Sequence, residues 1–129
     1  MTTLTVHATG GVAPAEAWDR FSVVSRWPGW APQITGVEAG AERIAQGLTG
    51  TVRGPLGVPL PFVVDEVDDA SRQWTWSVFA GPIRIQLRHW VSAAPAGGTT
   101  TGTRVHGAAP LVLGYAPLAL LALQRLVRA

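Results

Sequence analysis

The sequence predicts an α+β fold: a curved antiparallel sheet of about seven strands, short helices after the first strand, and a helix at the carboxyl end. Three observations carry this. Period-2 alternation of apolar and polar residues recurs in short segments through most of the chain. The links between those segments, Asp69 to Arg72, Gly81-Pro82 and Pro95 to Gly98, are turn signals that suit antiparallel hairpins rather than crossover helices. Helical spacing shows only after Pro14 and again after Pro110.

Residues 2–8 set Thr3, Thr5 and His7 against Leu4, Val6 and Ala8, a first strand that ends at Gly10-Gly11. The period then changes. Pro14 suits a first helical position, Glu16 complements the amino-terminal dipole, and Trp18, Phe21 and Val24 recur at helical spacing, predicting a helix over about 14–25. A further turn breaks within the run from Trp27 to Pro32. Strands are then expected at 34–39, within 43–54, and at 60–68, 73–80, 83–93 and 99–108. The cleanest is 83–91, where Ile83, Ile85, Leu87 and Val91 share one face and Arg84, Gln86, Arg88 and Trp90 the other.

At 129 residues the chain suits one domain, 1–129, able to bury roughly two thirds of its unfolded surface. The net charge of +2 comes with ten basic residues, all arginine and scattered from Arg20 to Arg128, so no stripe marks a nucleic-acid footprint and none is expected as a partner. The absence of cysteine removes disulfide and thiolate chemistry. The amino terminus lacks the basic start and apolar run of a secretory signal, and the expected compartment is the cytoplasm. The apolar run from Leu111 to Leu123, broken by Gly114 and Pro117, falls short of the ~20 residues of a membrane span. It is expected as a terminal helix packed on the domain, without membrane contact.

Three segments carry a resemblance: Ala13 to Phe21, Arg26 to Pro32, and Gly102 to Val105. Together the chain resembles, over almost its whole length, the polyketide cyclase/dehydrase-like branch of the START-like superfamily, often called SRPBCC proteins. The resemblance implies a helix-grip fold with a deep hydrophobic cavity between sheet and terminal helix, and a family whose members range from aromatic polyketide cyclases to lipid carriers. The run Gly114 to Pro117 departs from that pattern, predicting a short and interrupted last helix.

His89 is the leading candidate for chemistry, since it breaks the apolar face of its strand. It is either a general acid or base on a cavity wall, as an aldol-type cyclisation or dehydration requires, or a core histidine satisfied by a hydroxyl or carbonyl. On 60–68 the phase Val63, Asp65, Val67 competes with Phe62, Val64, Glu66; Asp65 is expected inward, to bracket a substrate with His89, or else it joins Glu66, Asp68 and Asp69 as a solvated hairpin end. Trp74 and Trp76 share a face and, with Trp27 and Trp30, suit either a pocket mouth for flat ligands or an ordinary core, the role expected of Trp18. Phe62 and Leu87 are expected on the same wall. Arg53 either holds a ligand anion at the entrance or is a solvated strand end, the loop 54–61 is a candidate lid, and Tyr115 a hydrogen-bond donor from the last helix. Trp90 is expected half exposed or at a homodimer contact.

His7, His89 and His106 lack metal-ligand spacing, and no nucleophile elbow, phosphate loop or dinucleotide fingerprint occurs, so neither metal nor cofactor is expected. The leading expectation is a protein that binds a hydrophobic small molecule and, on the family analogy, cyclises or dehydrates a polyketide-like substrate. The rival is a non-catalytic carrier or sensor of a lipid, sterol or polyketide. A third reading uses the apolar tail for dimerisation or membrane contact.

Overall fold

The computed structural model describes residues 1–129. Strand β1 (Thr2–Gly10) leads to helix α1 (Pro14–Ser22), a single 3-10 turn, and the four-residue helix α2 (Trp27–Trp30). Strands β2 (Gly36–Ala39), β3 (Thr49–Arg53), β4 (Pro59–Asp68), β5 (Gln73–Ala80), β6 (Ile83–Ala93) and β7 (Thr99–Gly107) follow, and helix α3 (Ala109–Leu126) ends the chain. All seven strands form one antiparallel sheet in the order β1-β7-β6-β5-β4-β3-β2. This is the expected α+β helix-grip architecture, with α3 packed on β1 and β7 and α1 on β6 and β7.

Helix α1 stops earlier than its apolar spacing suggests. Val23 is extended and bridges Arg43, while the Val24 and Ile44 amides donate to the Glu42 and Ser22 carbonyls. Two consecutive β-branched valines favour that exchange of helical for strand-like bonds. The same pairing consumes residues 42–44, so the strand expected within 43–54 is shortened to β3.

The last helix corrects the expectation of a short, interrupted element: α3 runs unbroken for 18 residues, with Pro117 inside it. Pro117 and Leu113, four residues earlier, both face solvent, where water can satisfy the carbonyl that proline leaves free. Val112, Ala119, Ala122, Leu123 and Leu126 are buried against the sheet and hold both halves in line. By length and mean hydropathy (1.4) the helix could cross a membrane, but this buried face makes it the core helix of the fold. Its outer face keeps Leu113, Leu120 and Leu121 exposed. At its carboxyl end, Arg20 Nη1 donates to the Leu126 and Arg128 carbonyls at 2.7 and 2.8 Å, satisfying acceptors a helix terminus leaves open.

Candidate functional site

Two alternations decide what faces α3. On β6, Ile85, Leu87, His89 and Val91 point inward, as the sequence pattern requires. On β4 both competing phases are correct, each on one side of a β-bulge: Phe62 and Val64 pair with Val78 and Trp76, then the register shifts so that Val67 faces Trp74. Asp65 is the extra residue of the bulge.

The inward aromatics assemble a core rather than a pocket mouth. Trp27 stacks on Trp74 at 5.6 Å, Trp74 on Trp76 at 5.3 Å, and Phe62 meets Trp27 and Trp76 at 5.4 and 5.5 Å. Trp30 lies edge-on to Phe21, its Nε1 donating to the Arg20 carbonyl. These rings fill the space between α1, α2 and the sheet.

His89 sits inside this cluster, stacked on Trp74 at 4.8 Å and 4 % exposed. Trp76 Nε1 donates to its Nε2 at 2.8 Å. An indole N–H is only a donor, so Nε2 carries no proton, and Nδ1–H donates to Thr103 Oγ1 at 2.7 Å. Both ring nitrogens are occupied, and burial pushes the imidazole pKa from 6.5 down to about 3. Of the two roles left open by the sequence, this geometry is that of a satisfied, neutral core histidine. The void beside it is about 10 Å³, at the lower limit of what one water occupies.

Asp65 was expected inward and lies outward. Its Oδ2 accepts from Ser77 Oγ at 2.6 Å and lies 3.8 Å from Arg84 Nη2, while Ser77 points away from the face that carries Trp76 and Val78. The bulge is the physical reason, and it separates Asp65 from His89. Arg53 does not hold the cavity entrance: it is exposed at the end of β3 and pairs with Glu38 at 3.1 Å, since Val52 takes the inward position.

What remains open is a cavity of about 290 Å³ between the first half of α3 and strands β5 and β6. Leu111, Gly114, Tyr115 and Leu118 form its helical wall; Trp76, Val78, Ile85 and Leu87 form the sheet wall. Val52, Leu60 and the Gly54-Pro55 turn complete the lining with Gln33 and Ile34 from the loop after α2, which runs beside that turn because the Thr35 amide donates to the Arg53 carbonyl; the remaining side is open to solvent. No charged side chain lines it. Of the ligand-facing residues expected from sequence, Trp76, Leu87 and Tyr115 line this cavity, whereas Trp30, Phe62 and Trp74 belong to the core behind it. The candidate lid supplies Gly54, Pro55 and Leu60, yet Leu56 points fully into solvent at φ 61°, a left-handed conformation uncommon for leucine.

The sequence reading missed Gln33. Its Nε2 donates to Tyr115 Oη at 3.0 Å, and its Oε1 is buried without a partner. Burial raises the Tyr115 pKa, so its phenol is a neutral donor. Gln33 lies in an irregular loop, where no periodicity marks an inward position; its only signal is a lone amide between Pro32 and Ile34.

No protein-family model matches the chain, and no curated protein matches it in sequence. Solved structures do match in fold. The protein XoxI from Bacillus cereus superposes with TM-score 0.80 at 14 % identity, covering 98 % of this chain and 94 % of that one. A protein from Nitrosospira multiformis gives 0.80 at 13 % identity, with the same coverage of both chains. Ara h 8.0201 gives 0.71 at 15 % identity, covering 96 % and 94 %. Likeness at these identities extends to the fold, and that fold is the helix-grip one.

Proposed function

We propose that this chain of START-like fold binds a compact hydrophobic small molecule between α3 and strands β5 and β6, as a carrier or sensor rather than a catalyst. The observation that carries the reading is the uncharged, apolar cavity of about 290 Å³. That volume lies at the small end of ligand pockets, which run about 300–1,000 Å³, and suits a fused ring system better than a long-chain lipid. Trp76 offers such a ring an indole on which to stack. The non-catalytic choice follows from His89: a general base must reach its substrate's proton, and this imidazole spends both nitrogens on Trp76 and Thr103.

Gly114 provides the test. A Cβ at this position meets nothing within 4 Å, yet the residue lines the cavity, so a large side chain enters the space without displacing backbone. Titration with N-phenyl-1-naphthylamine, an uncharged fluorophore, is expected to give saturable fluorescence enhancement with the natural protein and at least ~10-fold weaker binding with Gly114→Phe, for loss of contact area. Saturable binding equal in the two proteins, or none in either, would overturn the reading.

A further inference from the structure

We propose that the cavity selects a ligand carrying a hydroxyl group, recognised jointly by Gln33 and Tyr115. The inference rests on the cavity being the ligand site and names the chemical class it takes. The side-chain polar groups free to meet a ligand there are the Gln33 amide and the Tyr115 phenol, because the Trp76 N–H is already given to His89.

The pair is incompletely satisfied. Gln33 Nε2–H donates to Tyr115 Oη, which leaves the phenolic proton free to donate and the Gln33 Oε1 buried without a donor. Buried polar groups almost always find partners, and an orphaned acceptor marks where one belongs. A hydroxyl answers both needs once a small shift of the Gln33 amide uncovers its sealed Oε1 to the cavity: the hydroxyl oxygen accepts from Tyr115 and its proton goes to Gln33 Oε1. A ketone or ether only accepts, and a carboxylate would lie in a wall with no positive charge. This holds for the amide as it stands, with Nε2 on Tyr115 Oη; rotated by 180°, its orphan would be an N–H, which a ketone serves as well.

Position adds to chemistry. Gln33 and Tyr115 border both the main cavity and the small void towards His89, so they stand at its inner end beside Trp76. A flat ring against Trp76 thus presents its hydroxyl inward while its apolar body fills the space under Leu111 and Leu118.

Naphthalene, 2-methoxynaphthalene and 2-naphthol separate the contributions, measured by calorimetric titration of the full chain. 2-Naphthol is more polar than naphthalene, so apolar burial alone cannot favour it. The expected result is binding of all three, with 2-naphthol at least ~10-fold tighter than the others, the size of about one well-made buried hydrogen bond. The double variant Gln33→Leu/Tyr115→Phe leaves no orphaned group; whatever its affinity for naphthalene, the ratio of 2-naphthol to naphthalene affinity is expected to lose its ~10-fold advantage. Equal affinities in the natural protein, or a preference that survives in the double variant, overturn the hydroxyl assignment and leave the hydrophobic-ligand reading standing. Failure of all three compounds to bind overturns both.

Discussion

Lowering the pH should weaken the fold through His89 before any carboxylate contributes. In the unfolded chain this imidazole has its ordinary pKa of 6.5, whereas in the native core it stays neutral down to about 3. A folded pKa below the unfolded one means that the unfolded state binds the proton first, so the stabilisation is complete above 6.5 and lost as pH falls towards 3. Each unit costs about 1.4 kcal/mol, hence between about 2 and 3 kcal/mol at pH 4.5, against a total of roughly 5–15 kcal/mol for a domain. The groups whose pKa values are lowered by hydrogen bonds, Glu16 to Arg26 and Asp68 to Ser71, act only below their ordinary 4.5 and 3.8. The window from 6.5 to 4.5 therefore isolates the histidine. Urea unfolding at pH 7.5, 6.5, 5.5 and 4.5 measures the loss, and His89→Gln, whose amide can serve both Trp76 and Thr103, should flatten the curve over that window by the same amount. A histidine resonance for residue 89 titrating near 6.5, or a pH dependence unchanged in the variant, would refute the neutral-core account.

Other perturbations test the packing around the site. Gly102 lies beneath the Trp90 ring, which a Cβ would strike, so Gly102→Ala should cost about 1–3 kcal/mol by overpacking and become nearly neutral in a Trp90→Ala background. Arg20→Ala, by removing two charge-assisted hydrogen bonds to the end of α3, should lower stability by about 1–3 kcal/mol in chemical denaturation. Gly114→Ala should raise it by about 0.5–1 kcal/mol, because an alanine meets open space there and restricts the unfolded chain. Leu56→Asn should be neutral or stabilising by up to about 1 kcal/mol, as asparagine tolerates the left-handed backbone and removes an apolar side chain from water.

The sheet was legible because its strands alternate and its hairpins carry turn residues; β5 and β6 begin and end where those signals put them. The bulge was not, since Phe62, Val64 and Val67 face inward in a pattern that no single period describes. Pro117 misled for a different reason: local propensity argues against a proline within a helix, but the faces buried on either side of it outweigh that penalty. For His89 the sequence fixes parity and nothing more. Its neutrality depends on Trp76 and Thr103, brought beside it by strand register from 13 and 14 residues away. The cavity itself was the hardest to locate, because apolar residues that fill a core and those that line a pocket obey the same alternation. Gln33 shows the limit most plainly, an amide in a loop whose meeting with Tyr115 is created only by the fold.

The most direct test of ligand binding between α3 and the sheet is a methyl-resolved nuclear magnetic resonance titration with 2-naphthol. The account predicts saturable shifts at Val78, Ile85, Leu87, Leu111 and Leu118, which line the cavity, and none at Leu4 or Val6 on the edge strand or at Leu113 and Leu121 on the outer face of α3. Shifts confined to Leu113 and Leu121, or no saturable shift at the cavity methyls, would contradict it.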